Sequence, residues 1–473
     1  MSRCRVLLLG LFGIAIVLAA PGLAARAETP KEPLNFIIIL IDDMGWKDLG
    51  CYGSTFFRTP NLDRLAATGM RFTNGYAACP VCSPTRASIL TGKYPARLHL
   101  TDFLPGRADR PSQKLLRPKI RQHLPLEEVT LAEALAPAGY VSASIGKWHL
   151  GGSDYSPEKQ GFAVNVGGTQ AGSPTGGYFK FRSPSLTLRE GEYLTDRLTG
   201  EAEKFIEKNR DRPFFLYLAH YAVHIPLQAK KDVIARYEAR AKLGEPQHNP
   251  IYAAMVESVD DSVGRLLKKL DELKLTERTV IVFTSDNGGL SVKEGPNTPS
   301  TSNAPLRAGK GYLYEGGIRE PLLVRWPGVT RPGSTCDVPV CSIDFFPTFL
   351  DMAGIKSNAK SIDGVSLVPL LRGGKELKRD ALYWHYPHYS NQGGRPGGAV
   401  RRGDYKLIEF YEDGKLELYN LKEDVSETTD LAGKMPENTK ELHGLLRDWR
   451  KAVAAQMPTP NPDYVPPKER DRR

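Results

Sequence analysis

The stretch NFIIILIDD, residues 35–43, decides the fold of this chain. From Asn35 to Ile41 it is an apolar run of strand length, which is typical of a parallel strand covered by helices on both faces. Asp42 and Asp43 follow at once. Because ligands of open α/β sheets bind at the carboxyl ends of the strands, these two carboxylates mark a candidate site.

The same pattern of an apolar run followed by polar residues recurs along the chain. Helical periodicity at 193–209 and 250–273 separates some of these runs. The alternation predicts an α/β fold, a doubly wound, mixed and largely parallel sheet flanked by helices. The further predicted strands are 140–145, 213–219, 279–284 and 322–325.

The composition turns to glycine and charge near residues 373–378, which predicts a domain boundary. Beyond it we expect a smaller C-terminal subdomain, an antiparallel sheet plus one helix at 437–456. Its short predicted strands are 383–385, 399–401, 405–410 and 417–419.

The first residues of the chain have the pattern of a secretory signal peptide. Arg3 and Arg5 precede an apolar core at 6–20, and Ala25-Arg26-Ala27 gives an A-x-A cleavage site. We therefore expect export to the periplasm or the medium, without a stable membrane anchor. The predicted division is a signal peptide at 1–27, a catalytic α/β domain at 28–375, the C-terminal subdomain at 376–457 and a loose tail at 458–473.

The net charge of +10 is a mild basic excess, which favours anionic partners without selecting one. No recognised nucleic-acid module is present, so nucleic acid is not an expected partner.

A second stretch carries the chemistry: Cys82-Ser83-Pro84-Thr85-Arg86, followed by ASILTGKYPAR at 87–97. Pro84 suits the first turn of a helix and Gly92 can end it. Residue 82 would then lie at a helix N-terminus, which favours an anion, and Arg86 one turn later can hold an oxyanion. An isolated C-x-P-x-R pattern would indicate a structural cysteine, but the residues that follow make it specific.

These motifs resemble the signature of the type I, formylglycine-dependent sulfatases of the alkaline-phosphatase superfamily. Within that family the chain is similar to the arylsulfatase A and N-acetylgalactosamine-6-sulfatase group, from about Asn35 to about Ala432. The resemblance implies that a maturation enzyme oxidises Cys82 to formylglycine (3-oxoalanine). It also implies that the activity is hydrolysis of sulfate esters, here on sulfated saccharides.

Two pairs of polar residues, Asp42-Asp43 and Asp286-Asn287, each follow a predicted buried strand. Carboxylate and amide oxygens suit a hard cation such as Ca²⁺ or Mg²⁺ rather than Zn²⁺. One pair alone would indicate a cap or a turn. The resemblance implies Ca²⁺, bound by both pairs and by an oxygen of modified Cys82.

The resemblance also implies roles for charged residues at family motif positions. The hydrated formylglycine, held near Arg86, would attack sulfur while Lys147 and Lys310 neutralise the sulfate oxygens. His224, aided by Lys310, would protonate the leaving alcohol, and His149 would remove the proton that releases sulfate. His220 is expected to be structural.

The segment Tyr383–Tyr389 is dense in aromatic residues and histidine beside the predicted domain boundary. Aromatic faces stack on sugar rings and histidine hydrogen-bonds hydroxyls, so His385 and His388 are predicted to bind the saccharide. The flexible turn that follows, residues 391–395, is expected to add polar reach. The alternative is that the segment joins the two domains.

Several alternatives stay open from the sequence. The chain could be a phosphonate or phosphate ester hydrolase of the same superfamily, or a secreted sulfoglycan-binding protein without catalysis. The sulfated sugar or aryl sulfate, the ring position, exo or endo action and the oligomeric state are not specified. If Cys82 is converted, four cysteines remain in the exported chain, as one or two disulfides or as buried thiols.

Overall fold

The computed structural model describes Met1 and residues 33–241, 245–356 and 359–466. Apart from Met1, the predicted signal peptide lies outside the described residues. From Pro33 onward the chain forms one compact unit. Within the described residues, no helix is both long and apolar enough to cross a membrane.

The strands are numbered in chain order. They are β1 Asn35–Ile41, β2 Met70–Tyr76, β3 Leu115–Leu116, β4 Val141–Gly146, β5 Val164–Val166, β6 Arg182–Ser183, β7 Leu186–Thr187, β8 Phe214–Ala219, β9 Thr279–Ser285, β10 Arg319–Arg325, β11 Ser334–Cys336, β12 Val340–Cys341, β13 Leu382–Tyr386, β14 Gly397–Arg402, β15 Tyr405–Phe410, β16 Leu416–Asn420 and β17 Thr459–Pro460.

The α-helices are numbered in the same way. They are α1 Pro60–Thr68, α2 Cys82–Thr91, α3 Pro95–Leu98, α4 Leu131–Leu135, α5 Leu194–Lys208, α6 Lys231–Glu238, α7 Pro250–Glu272, α8 Glu315–Ile318, α9 Phe345–Met352, α10 Val368–Leu371 and α11 Pro436–Ala452. Short 3₁₀ helices are Gly50–Tyr52, Ala136–Ala138, Ser153–Tyr155, Pro157–Gln160, Thr276–Arg278 and Ser342–Asp344.

The large sheet has the order β11-β2-β10-β9-β1-β8-β4-β5, with β12 also paired to β2. Strand β1 runs parallel to both β8 and β9, and β4 runs parallel to β8 and β5. Strand β10 is antiparallel to β9 and β2. The predicted mixed, largely parallel sheet is therefore confirmed.

Strand β1 shows why the sheet is covered on both faces. Ile37, Ile39 and Ile41 lie in one buried apolar cluster, together with residues of α1, α5 and α7. Phe36, Ile38 and Leu40 lie in a second cluster with residues of α2, α4 and α9. Because successive strand residues face opposite sides, a run that is apolar throughout requires helices on both faces.

The small sheet is antiparallel, in the order β13-β14-β15-β16. On one face Val400, Leu407 and Leu418 pack with α11 residues Leu442 and Leu446. The other face packs on the catalytic domain, as the next contact shows. The predicted antiparallel subdomain with one helix is confirmed.

Trp384 of β13 joins the small sheet to the catalytic domain. Its side chain is 1% exposed, packs with Tyr76 in a shared apolar cluster, and donates a 2.8 Å hydrogen bond from Nε1 to Ala77 O. The predicted boundary at 375–376 falls between β12 and β13, and the two parts share this interface.

A buried ionic cluster also links the two parts. Lys406 Nζ donates 2.9 Å hydrogen bonds to Glu315 Oε1 and Glu427 Oε1, and all three side chains are fully buried. Glu427 Oε2 accepts a further 2.7 Å bond from Glu315 N. Since a buried charge left unpaired is strongly destabilising, this cluster fixes the subdomain relative to α8.

The segment predicted as a loose tail begins with a strand. β17 pairs antiparallel with β3, which lies in the irregular region before α4. Asn461 N donates to Lys114 O at 2.9 Å, and Val465 N donates to Pro111 O at 2.8 Å.

The described cysteines are all free thiols. Cys79, Cys82, Cys336 and Cys341 are buried and Cys51 is partly buried. Of the alternatives left open by the sequence, the structure shows thiols rather than disulfides among the described residues.

One buried acid on β10 makes the stability of the folded protein depend on pH. Glu320 is 1% exposed, and neither carboxyl oxygen has a hydrogen-bond partner within the described residues. Burial raises its pKa well above the ordinary value, and the charges of Asp286, Asp43 and Asp48 raise the pKa further. Folded protein therefore keeps the proton of Glu320 at pH values where unfolded protein has lost it.

We predict that Glu320→Gln is more stable than the wild type, by an amount that grows with pH. The wild type loses about 1.4 kcal/mol of unfolding free energy per pH unit, from the ordinary Glu pKa up to the native pKa. Denaturant unfolding at pH 4 to 8 measures the difference, with exposed Glu423→Gln as control. Stability curves of wild type and Glu320→Gln that stay parallel would contradict the assignment.

Candidate functional site

The site lies where four parallel strands end at the same edge of the large sheet. Strand β1 leads to Asp42 and Asp43, β4 to Lys147 and His149, β8 to His224, and β9 to Asp286 and Asn287. Helix α2 brings Cys82 and Arg86 to this edge, and the loop before α8 brings Lys310. The structure thus brings together the predicted metal and catalytic residues, as the contacts below show.

The end of β1 is fixed by its neighbours on both sides. Asp42 N donates to Ala222 O at 3.0 Å, and Asp286 N donates to Ile41 O at 3.0 Å. Asp43 has a φ of 63°, in the left-handed region that aspartate tolerates better than most residues. This turn directs consecutive carboxylates to different partners.

Three cations pair with the three carboxylates. Arg86 Nε donates to Asp286 Oδ2 at 2.8 Å, Lys147 Nζ to Asp42 Oδ2 at 2.7 Å, and Lys310 Nζ to Asp43 Oδ2 at 2.7 Å. All these side chains are at most 9% exposed. The pairing offsets a desolvation cost that would otherwise be several kcal/mol for each ion.

Helix α2 is buried along its whole length. Val81, the residue before it, is extended and provides no side-chain cap, so the first amides of the helix lie beside Cys82. The helix ends at Gly92, whose φ of 69° is left-handed and whose N–H donates to Ser88 O. The predicted helix and its end are confirmed.

Cys82 faces a neutral histidine. Its Sγ lies 3.3 Å from His149 Nδ1, while His149 Nε2 lies 2.7 Å from Leu104 O. A carbonyl only accepts, so Nε2 carries the proton and Nδ1 presents a lone pair to residue 82. Burial, and then Lys147, holds the pKa of His149 well below its usual value. Burial also raises the pKa of the Cys82 thiol.

A hydrogen bond to a backbone carbonyl also fixes the tautomer of His224. Its Nδ1 lies 2.7 Å from Ile225 O and therefore donates, which leaves Nε2 as an acceptor 3.7 Å from Asp43 Oδ2. Burial, with Lys310 next in effect, lowers the pKa of His224 to about 3. Burial lowers the pKa of Lys310, but the charges of Asp43, Cys82 and Asp42 together outweigh burial, so the pKa of Lys310 is raised.

The oxygen atoms at this edge suit a hard cation. Asp42 Oδ1 and Asn287 Oδ1 are buried without a hydrogen-bond partner among the described residues. Asp42, Cys82 and Asp286 offer ligand atoms within 4.8 Å of one another. Burial, partly opposed by Lys147, raises the pKa of Asp42 to about 8. Unsatisfied oxygens and a carboxylate disfavoured as an anion both indicate a place for positive charge.

A pocket of about 210 Å³ reaches these residues from the surface. Its inner wall carries Cys82, His149, His224 and Lys310. Its outer wall carries Glu294, Asn391 and Gln392.

His385 and His388 are not among the residues that line this pocket. His385 is 4% exposed, with Nδ1 at 2.7 Å from Tyr411 OH and Nε2 at 2.9 Å from Gln456 O. His388 is 1% exposed, with Nε2 at 2.8 Å from Thr101 Oγ1. Both side chains lie in packed surroundings. This fits the alternative stated above, in which the segment Tyr383–Tyr389 joins the two domains. His220 is fully buried against Ser262.

Of the outer wall, the sequence pointed only to the polar turn after Tyr389, which was expected to add polar reach to the saccharide subsite, and Glu294 was not assigned. Asn391 and Gln392 belong to a polar turn that was noticeable only by its composition. Glu294 lies in an irregular loop without a motif.

The chain matches two family models. Residues 34–355 match the family model described as "Sulfatase", and residues 308–452 match the model "N-sulphoglucosamine sulphohydrolase, C-terminal".

Curated relatives cover most of the chain. A sulfatase of Formosa agariphila is 33% identical and covers 93% of this chain and 92% of its own. Human arylsulfatase A is 34% identical, over 90% of this chain and 88% of its own. Canine N-acetylgalactosamine-6-sulfatase is 37% identical, over 83% and 74%.

Solved structures are similar over nearly the whole fold. Ps i-CgsB in complex with k-i-k-neocarrahexaose has a TM-score of 0.77 and 28% identity, and covers 93% of this chain and 96% of its own. A protein solved with its substrate D-glucosamine-2-N,6-O-disulfate has a TM-score of 0.69 and 25% identity, over 90% and 98%.

The pairing of Arg86 with Asp286 predicts a large stability effect. In chelator, Arg86→Met should lower the free energy of unfolding by about 3–5 kcal/mol, because it leaves a buried carboxylate unpaired. Arg402→Met removes an exposed partner of Glu441 and should cost under about 1 kcal/mol. Urea unfolding measures both, and equal losses would contradict the role of the buried pair.

Proposed function

We propose that this chain, which belongs to the sulfatase family, hydrolyses sulfate esters of saccharides through formylglycine formed from Cys82. The curated members of the family are sulfuric ester hydrolases. The observation that carries the proposal is the position of Cys82. It lies at the start of buried helix α2, 3.3 Å from an unprotonated histidine nitrogen and beside three paired cations.

The residues present suit a metal at this edge. Asp42, Asp43, Asp286, Asn287 and the modified side chain of residue 82 would hold Ca²⁺, or Mg²⁺ in its place. Together the two groups would supply an oxygen nucleophile at residue 82 and a fixed positive charge that screens the negative ester.

The chain's own cations bind the sulfate group. Lys147 and Lys310 present charged N–H donors, and Arg86 adds a guanidinium whose orientation is fixed by Asp286. Since they are already buried and oriented, little rearrangement opposes their interaction with charge that develops on the sulfate oxygens.

Two histidines move protons at defined atoms. The lone pair on His149 Nδ1 faces the side chain of residue 82 and can accept a proton there. His224 lines the pocket and its Nε2 is unprotonated, so Nε2 needs a proton donor before it can protonate the leaving alcohol. Lys310, which shares Asp43 with His224, is the protonated group beside it.

The proposed substrates are sulfated sugars such as galactose, N-acetylgalactosamine and glucosamine. The names of the relatives and the ligands in the similar structures support this class. We also propose export after signal-peptide cleavage, and maturation by an enzyme that oxidises Cys82.

Modification of Cys82 is tested by mass spectrometry. Trypsin should release residues 72–86, which contain Cys79 and Cys82. We expect a loss of about 18 Da at Cys82 alone, because replacing a thiol-bearing carbon by an aldehyde changes the mass by that amount. Fragment ions separate the two positions, and Cys79 is the internal control.

The same experiment extends to activity. Cys82→Ala should fold, bind Ca²⁺ and turn over no sulfate ester, while the wild type hydrolyses 4-nitrocatechol sulfate and at least one sulfated sugar. Activity in Cys82→Ala, or turnover of a phosphonate monoester but no sulfate ester by the wild type, would contradict the proposal.

Metal binding is tested by thermal unfolding as well as by activity. We expect Ca²⁺ to raise the melting temperature of chelated protein, since a ligand that binds only the folded state stabilises it. Asn287→Ala should weaken this shift at least several-fold, whereas Asn438→Ala, on helix α11, should preserve it. A melting temperature indifferent to Ca²⁺ would refute the metal site.

A further inference from the structure

The outer wall of the pocket contains a carboxylate held by two amides. Asn391 Nδ2 donates to Glu294 Oε1 at 2.8 Å, and Gln392 Nε2 donates to Glu294 Oε2 at 2.6 Å. Within the described residues no cation forms an ion pair with Glu294. The amides therefore orient the carboxylate without neutralising it.

The turn that supplies both amides is itself fixed. Ser390 Oγ accepts hydrogen bonds from Gln392 N at 3.2 Å and Gly394 N at 3.0 Å. Gly394 packs so closely that a Cβ there would lie 1.8 Å from Gly311 O. The turn thus rests on the residue next to Lys310, and its position is tied to that of the inner wall.

A hydrogen bond also joins the turn to the loop that carries Lys310. Tyr312 OH donates to Gln392 O at 2.6 Å. The glutamate and its amides are therefore a built feature of the pocket.

The two walls of the pocket differ in charge. The inner wall presents Lys310 and is backed by Lys147 and Arg86, which favour the sulfate group. The outer wall presents a carboxylate, which only accepts hydrogen bonds and repels other anions. A substrate that enters the pocket therefore meets cations that attract one anionic group and a carboxylate that repels a second.

We propose that Glu294, held by Asn391 and Gln392, is a subsite that binds hydroxyl or N–H donors of the sugar and excludes a second anionic group beside the reacting sulfate. The inference rests on the proposed function and narrows its substrate class. The preferred substrate carries one sulfate, with neutral hydrogen-bond donors where the sugar meets the outer wall.

The test uses two aryl sulfates that differ in one charge. 3-Carbamoylphenyl sulfate and 3-carboxyphenyl sulfate have nearly the same shape, but only the second carries a carboxylate on the leaving group. We expect the wild type to favour the carbamoyl ester in kcat/KM by at least about 5-fold, and Glu294→Gln to remove most of that preference. The ratio of kcat/KM for the two esters is compared between the wild type and each variant. Because every enzyme is given the same two esters, the different reactivities of the two phenols cancel in this comparison.

Further variants make the result decisive. Glu294→Lys should reverse the preference, because it replaces repulsion by attraction at the same place. Glu158→Gln removes one carboxylate outside the pocket and should leave the wild-type ratio unchanged. Added salt should reduce the preference of the wild type and not that of Glu294→Gln.

The outcomes separate this inference from the proposed function. Failure of the wild type to hydrolyse 4-nitrocatechol sulfate and every sulfated sugar refutes the function, and calorimetric binding of the two aryl esters to Cys82→Ala then still measures the charge preference. If the ratio of kcat/KM for the carbamoyl and carboxyl esters is the same in the wild type, Glu294→Gln and Glu294→Lys, the subsite is overturned. The subsite is also overturned if Glu158→Gln changes this ratio as much as Glu294→Gln does.

Discussion

The pairing of three buried carboxylates with three buried cations is the constraint on which the rest of the structure depends. Asp42, Asp43 and Asp286 lie at the ends of two neighbouring strands, and their partners come from a helix, another strand end and a distant loop. Burying any one of these charges alone would cost several kcal/mol. The elements that carry them must therefore arrive together, which fixes the edge of the sheet as one unit.

The sequence predicted the parts of the site that follow strands or lie in motifs. Strand β1 has the predicted bounds, and the polar residues after it lie where the carboxyl ends of parallel strands meet. The partner of Arg86 was not predictable from local spacing, since Asp286 lies 200 residues away. Glu294 was not predictable because an irregular loop gives no periodicity. His385 shows a different limit: enrichment in aromatic residues and histidine indicates packing between domains as readily as ligand binding.

The pocket belongs to both parts of the chain. The catalytic domain supplies the inner wall, while Asn391 and Gln392 come from the turn between β13 and β14. Lys406, buried between Glu315 and Glu427, holds the small sheet against α8, which follows the loop that carries Lys310, and Trp384 holds the small sheet against Ala77. The C-terminal subdomain therefore forms part of the pocket.

The spread of the site along the chain has a consequence for how the protein is made. Cys82 leaves the ribosome early, but Lys310 pairs with a residue 267 positions before it, and the outer wall comes later still. Contacts between such distant residues form slowly, because the intervening chain must first be ordered. A nascent chain that ends before residue 394 therefore contains the large sheet and the helices that cover it, but its pocket is not finished. Function is acquired only near the end of synthesis, in one late step of assembly.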